Sequence, residues 1–298
     1  MGRDVFEASP AAREIFQTAD AALGYSLSQL CFEGPEDALV RTEVQQPAIL
    51  TTSIALLRAI EERGPVEPAF VAGHSLGEYS ALVASGALPF DDAVRLVQTR
   101  GRFMQEAVPE GRGAMAAVIG TEREVVERCC AEAAAATGQV VSPANYNSPP
   151  QTVIAGDSAA VERACVLARE QGAKRTVPLP VSAPFHCQLM VRAAEKLALE
   201  LAGTRFADPV CPIVTNVEAT TNTDGSRIAA LLEQQVSAPV RFVEMVQHLA
   251  QRGVTRVLEV GPGRVLTGLV RRIDRDLERG NCSTLDEVGE AAVFAAGS

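Results

Sequence analysis

A serine, a histidine and an arginine in this chain are the side chains whose types and settings could open a carbonyl. The serine lies in Phe70-Val71-Ala72-Gly73-His74-Ser75-Leu76-Gly77-Glu78-Tyr79. A short apolar run ends in Gly-x-Ser-x-Gly, and helical spacing follows at Tyr79, Leu82 and Val83. Strand, tight turn and helix in that order describe a nucleophile elbow, with the serine hydroxyl lifted off the sheet edge. Gly73 and Gly77 lack a Cβ, which is expected to let strand and helix pass closely. The free N–H groups of the first helical turn point at the same spot and would receive the negative charge of an attacked carbonyl. The pattern alone also fits a serine that merely starts a helix; the flanking strand and helix favour the nucleophile.

A serine hydroxyl needs a base, and the chain has three histidines. His74 adjoins the serine, points elsewhere on an elbow, and is a candidate to line the pocket. His248 falls in an amphipathic helical stretch and reads as a surface or partly packed helical residue. His186 is the best base, because it ends the irregular Pro180-Val181-Ser182-Ala183-Pro184-Phe185 stretch. No Asp or Glu between Ser75 and His186 stands out as a partner for the imidazole, and Asp157 falls in a turn, so a carbonyl oxygen is the alternative. Arg100 offers a two-pronged fork for a carboxylate if it lines a cleft. An exposed helical charge fits its spacing equally well.

These groups need a frame of some size, and 298 residues supply one large core or two domains. A formal net charge of −10 argues against nucleic acid and anionic membrane surfaces as partners. Seven cysteines without framework spacing point to a reducing compartment, and hence the cytoplasm. Three unclustered histidines argue against a metal site, and no cofactor is implied. There is no apolar run long enough to span a membrane. A monomer is expected.

Along the chain, periodicity predicts helices over 4–24, where Pro10 fits a helix start after Ser9, from Gln45-Gln46-Pro47 to Arg63-Gly64, and from Phe90 past Met104. After Pro109-Glu110-Gly111, the order becomes β-α-β-β-α-β, with Thr121 and Glu124 in capping-box spacing. That order is the split, ferredoxin-like motif. The expected fold is α/β: an α/β-hydrolase-like catalytic domain with a parallel sheet and elbow, made of 1–111 and 183–298, interrupted by a ferredoxin-like subdomain over 112–182. Strands are predicted at 173–179, 210–214 and 257–260, and a last long helix over 265–277. The tail after Gly280, rich in small residues, is expected to be a loosely held helix or disorder.

Several motifs in order make the chain resemble the malonyl-CoA:acyl carrier protein transacylases of bacterial type II fatty acid synthesis, over about Glu14 to Arg272. They are Gln46-Pro47-Ala48, Gly73-His74-Ser75-Leu76-Gly77-Glu78-Tyr79, Arg100-Gly101 with Met104-Gln105, Gly113-Ala114-Met115-Ala116, Asn145-Tyr146-Asn147-Ser148-Pro149, Val181-Ser182-Ala183-Pro184-Phe185-His186, Thr215-Asn216-Val217 and Glu259-Val260-Gly261-Pro262-Gly263. The resemblance implies a ping-pong transfer from malonyl-CoA, through malonyl-Ser75, to the phosphopantetheine thiol of acyl carrier protein. It implies His186 as the base, oriented by the Gln235 carbonyl, and the Leu76 N–H as an oxyanion donor. Arg100 would pair with the malonyl carboxylate, with His74, Met104, Phe185 and Asn145 also about the substrate. Phe185 beside the base resembles the malonyl-selective form. An acidic carrier also calls for a local basic patch, for which Arg95, Arg102 and the Arg271-Arg272 pair are candidates.

One departure accompanies the resemblance. The family opens with a strand and a Gly-Gln-Gly-Ser-Gln loop that supplies a second oxyanion donor, whereas Met1-Gly2-Arg3 stands where that loop should have ended. The start therefore reads as internal to a longer reading frame, the alternative being a shortened protein of low stability or activity. Three rival functions share much of the pattern. A serine hydrolase would need no Arg100, a polyketide-pathway acyltransferase would differ in acyl group and carrier, and an inactive carrier-binding protein would not be acylated.

Overall fold

The computed structural model describes residues 1–109, 111–181 and 183–297. Glu110 and Ser182, both within motifs quoted above, lie outside the described residues. The strands are β1 (Val71–Ala72), β2 (Gly113–Ile119), β3 (Val141–Ser148), β4 (Gln151–Asp157), β5 (Arg175–Pro178), β6 (Ile213–Val214), β7 (Thr221–Asn222), β8 (Arg256–Val260) and β9 (Glu278–Cys282).

The larger layer is built around helix Thr42–Glu61, which buries Ala48, Leu50, Ile54, Leu56 and Ile60. This helix starts a turn earlier than Gln45-Gln46-Pro47 suggests, so Pro47 lies inside it. Tertiary contact outweighs the proline preference for a first turn. A Cβ at Gly101 would stand 2.5 Å from the Thr42 carbonyl oxygen, so helix Phe90–Glu106 lies directly against the added turn. The predicted 4–24 helix is two helices, Arg3–Ala8 and Pro10–Leu23. They break at Ser9, whose hydroxyl accepts the Ala12 N–H at 3.0 Å with Pro10 at the first helical position.

β1 pairs in parallel with β6, Val71 opposite Ile213, and β7 joins β6 antiparallel. β8 and β9 form a separate parallel pair. The expected strand at 210–214 is thus reduced to its buried end. The tail is neither loose nor disordered: it contributes β9 and helix Val288–Ala296, with Cys282 fully buried and Val288 and Ala291 nearly so. Its small residues allow this closeness, since a Cβ at Gly280 would come within 2.9 Å of Leu258 and Phe294. The helix predicted over 265–277 ends at Ile273, where the chain turns toward β9.

Between Gly113 and Pro178, the strands form an antiparallel sheet in the order β3-β4-β2-β5, the ferredoxin-like arrangement. Helices Arg123–Thr137 and Ser158–Glu170 cover one face through Val126, Cys130, Val161 and Ala164. The Thr121–Glu124 capping box does not form, because Glu122 occupies the cap position. The opposite face is what positions the site. Met115, Ala117, Ala144 and Val153 pack there with Cys187, against which Phe185 and Leu189 lie. β3 is also joined to the larger layer: the Tyr146 N–H donates to the Val240 carbonyl and the Val240 N–H to the Ala144 carbonyl, each at 2.9 Å. The segment carrying His186 is therefore held between the two layers.

Candidate active site

The elbow forms as a turn between β1 and helix Gly77–Ala84. Ser75 has a φ of 52°, the left-handed region that disfavours a side chain by roughly 1–2 kcal/mol. Surrounding bonds hold it there. The Ser75 N–H donates to Asn216 Oδ1 at 2.6 Å, and Asn216 Nδ2 donates to the Gly73 carbonyl at 2.7 Å. The Ser75 carbonyl accepts from the Glu78 N–H at 3.1 Å and from Gln235 Nε2 at 2.9 Å. Gly73 is required in the way its lack of a Cβ suggests, because a Cβ there would sit 2.0 Å from the Gly77 carbonyl group. Gly77 is not, because a Cβ there meets nothing within 4 Å among the described residues.

Ser75 Oγ lies 2.7 Å from His186 Nε2, and His186 Nδ1 lies 2.8 Å from the Gln235 carbonyl oxygen. A carbonyl only accepts, so Nδ1 carries the proton and Nε2 is left to receive one from Ser75. His186 is 3% exposed. Burial first, and the nearby Arg100 charge second, push its pKa down to about 3. The imidazole is thus neutral at rest and ready to act as a base.

Arg100 is 2% exposed, which removes the exposed-charge alternative. Its helix, Phe90–Glu106, packs against the elbow helix and holds the guanidinium in the site. Nη1 donates to Gln46 Oε1 at 2.7 Å, while Nη2 donates to Gln235 Oε1 at 2.9 Å and to Ser75 Oγ at 3.0 Å. Among the described residues these acceptors are all uncharged, and Arg100 Nε has no partner. Burial lowers the Arg100 pKa, opposed by Tyr79 and Glu78. Among the described residues the Leu76 N–H is given to no protein acceptor, so it remains open beside Ser75.

The remaining expected residues fall at different distances from this centre. His74 Nε2 lies 2.8 Å from Asn147 Oδ1, and its ring packs at 5.5 Å against Phe242, so it ties the elbow to β3. Burial lowers its pKa. Met104 is buried, with its Sδ 3.9 Å from Gln46 Nε2. Phe185 is partly buried next to His186. Asn145 is buried and its backbone bridges Val240; Asn147 is the neighbour whose side chain reaches a site residue. His248 bonds Thr221 Oγ1 at 2.7 Å. Arg95 does not serve a basic patch, because Asp91 and Asp92 compensate its charge at 2.7 and 2.8 Å. Arg102 rests over the Phe103 ring, and Arg271 and Arg272 are exposed.

Sequence reading gave no role to Asn216, Asn147, Glu78 or the side chains of Gln46 and Gln235. One signal was available for Glu78, the single charge on a short helix. Among the described residues no group of three or more His, Cys, Asp or Glu could hold a metal ion, and no helix is long and apolar enough to cross a membrane. What the arrangement can do is acyl transfer: a serine with a neutral base, an open N–H for an oxyanion, and a fixed cation beside the nucleophile.

A model of the acyl transferase domain matches residues 1–289. The malonyl CoA-acyl carrier protein transacylase of Escherichia coli (strain K12) is 52% identical over 270 residues, covering 91% of this chain and 87% of that protein. The protein of the same name from Bacillus subtilis (strain 168) is 48% identical over 278 residues, covering 93% and 87%. Among solved structures, the malonyl CoA-acyl carrier protein transacylase of Coxiella burnetii superposes with a TM-score of 0.96 at 42% identity, covering 99% of this chain and 93% of that one. A malonyl-transacylase in complex with its type II PKS acyl-carrier protein gives 0.95 at 46% identity, covering 98% and 94%.

Proposed function

The chain belongs to the acyl transferase domain family, and on that premise we propose that it transfers a malonyl group from malonyl-CoA to the phosphopantetheine thiol of acyl carrier protein. Malonyl-acyl carrier protein made this way feeds chain elongation in fatty acid synthesis. In the first half, Ser75 Oγ gives its proton to His186 Nε2 and attacks the thioester carbonyl. The developing oxyanion is received by the Leu76 N–H, and His186⁺ is held by the Gln235 carbonyl. The C–S bond breaks, the CoA thiolate takes the proton from His186, and malonyl-Ser75 remains. In the second half, the carrier thiol gives its proton to His186, attacks the ester, and Ser75 Oγ leaves and is reprotonated.

The observation that carries this reading is the position of Arg100, a buried cation 3.0 Å from Ser75 Oγ whose direct partners among the described residues are neutral. A carboxylate at the far end of the acyl group is the chemistry that such a cation selects. His74, Met104, Phe185 and Asn145 are proposed as the surrounding wall. A serine hydrolase would need no such arginine, and dependence on the carrier thiol is what separates the two reactions.

The proposal includes residues 112–182 as the inserted unit within a catalytic domain of 1–111 and 183–298, a monomeric working form, and a cytoplasmic setting. Seven free, buried cysteines accord with that setting. The test is to supply malonyl-CoA with and without acyl carrier protein bearing its phosphopantetheine arm, and to follow malonyl-carrier and free malonate by mass. Malonyl-carrier with little malonate is expected. Malonate released at the same rate without the carrier would make the protein a hydrolase.

A further inference from the structure

Glu78 is a buried carboxylate that the transfer mechanism does not use. It is 2% exposed at the head of the elbow helix. Its Oε2 accepts from Gln235 Nε2 at 2.7 Å and from the Asn216 N–H at 3.2 Å. The Gln235 side chain faces both ways, because its Oε1 accepts from Arg100 Nη2 at 2.9 Å while its Nε2 donates to Glu78. One amide therefore separates a buried anion from a buried cation. An amide held this way keeps the two charges apart but lets each feel the other's field.

We propose that Glu78 is the resident counter-charge of Arg100, acting through the Gln235 amide, and that it sets how strongly the site prefers acyl groups that carry a carboxylate. The proposal rests on the reading of Arg100 as the carboxylate seat. When such a substrate binds, its anion joins a cation whose field Glu78 already offsets in part. Ionised Glu78 thus weakens the hold on the carboxylate, and neutral Glu78 releases the full charge of Arg100 to it. A neutral acyl group of the same thioester feels neither effect. Glu78 is in this sense a positioning and tuning residue that touches no reacting atom.

Among the described residues, Arg100 is the one charge acting on Glu78. Helix Thr42–Glu61 buries no ionisable side chain. Gln235 and Asn216 do not titrate, Tyr79 is pushed far up by burial, and burial lowers His186 to about 3 and lowers His74 as well. Burial raises the Glu78 carboxyl to about 7, against hydrogen bonds from Gln235 and Asn216 and the charge of Arg100.

The experiment compares kcat/KM for malonyl-CoA with that for acetyl-CoA, in the full chain and in Glu78→Gln, with acyl carrier protein as acceptor. At about pH 8, the variant is expected to raise the malonyl-over-acetyl ratio by about tenfold, the effect of one unit charge acting through a protein-like dielectric over a few ångströms beyond contact. A merely structural role for Glu78 would lower both substrates together and leave the ratio unmoved. A ratio unchanged or reduced in the variant, with the parent protein preferring malonyl, overturns the counter-charge. A parent protein with no malonyl preference instead overturns the role of Arg100 on which the proposal rests. If the variant does not fold, the parent alone decides. Its ratio should rise as pH falls from about 8 to about 6, a window in which the malonyl carboxylate stays ionised, and a flat ratio overturns the proposal.

Discussion

Replacing Arg100 with alanine separates two roles that its geometry allows. Nη2 touches Ser75 Oγ at 3.0 Å, so the guanidinium could serve the nucleophile for any substrate. Nη1 and Nη2 also rest on the amide oxygens of Gln46 and Gln235, at 2.7 and 2.9 Å, which are weak acceptors beside a carboxylate. Exchanging neutral acceptors for a carboxylate gains about the difference between a charge-assisted bond and an ordinary one, taken twice for a fork. That sums to about 3 kcal/mol, or roughly 10² in kcat/KM. Arg100→Ala should therefore cut malonyl transfer about 10²-fold, while acetyl transfer, which forms no such pair, falls by less than about tenfold. The assay is steady-state transfer of each acyl group to acyl carrier protein, with circular dichroism to show that both proteins are folded. Equal losses for the two substrates would refute the carboxylate seat and assign Arg100 to Ser75 alone.

Two further perturbations probe the frame. His186 is neutral because its folded pKa is about 3, so acetyl transfer should hold steady as pH falls through 6.5, and a half-loss near 6.5 would contradict the buried base. Stability responds differently: below about 6.5 the unfolded chain binds a proton that the folded one refuses, so His186 withdraws stability as pH falls toward 3, visible as a declining melting temperature. The glycines of the elbow should behave unequally. Gly73→Ala drives a Cβ to 2.0 Å from the Gly77 backbone and should cost roughly 3 kcal/mol or more in thermal or denaturant unfolding. Gly77→Ala meets open space at a helix start and should leave the melting temperature unchanged or raised.

The groups gathered at the candidate site were legible in the sequence where local pattern fixes them. Gly-x-Ser-x-Gly after an apolar run announces an elbow because strand, turn and helix are all local. His186 was legible by elimination among three histidines. The missing triad carboxylate was legible too, and the structure puts the Gln235 carbonyl in its place at 2.8 Å. Arg100 was not decidable from helical spacing, because burial of one helix face depends on partners distant in sequence. The same holds for Asn216, which reaches the Ser75 N–H across 141 positions, and for Gln235, which reaches Glu78 across 157. The tail misled for a physical reason: small residues look like weak core formers, yet Gly280 and Ala291 are what let β9 and the last helix close on the larger layer. Pro47 misled in the other direction, since tertiary packing at Gly101 extends a helix past a residue that usually begins one.

In the proposed transfer, Ser75 carries the malonyl group between donor and acceptor. The most direct measurement is the intact mass of the protein, quenched after brief mixing with malonyl-CoA, followed by peptide mapping. A gain of one malonyl group on the peptide containing Ser75 is expected, absent in Ser75→Ala and discharged when acyl carrier protein is added. No gain in the parent protein, or the same gain in Ser75→Ala, would remove Ser75 as the carrier.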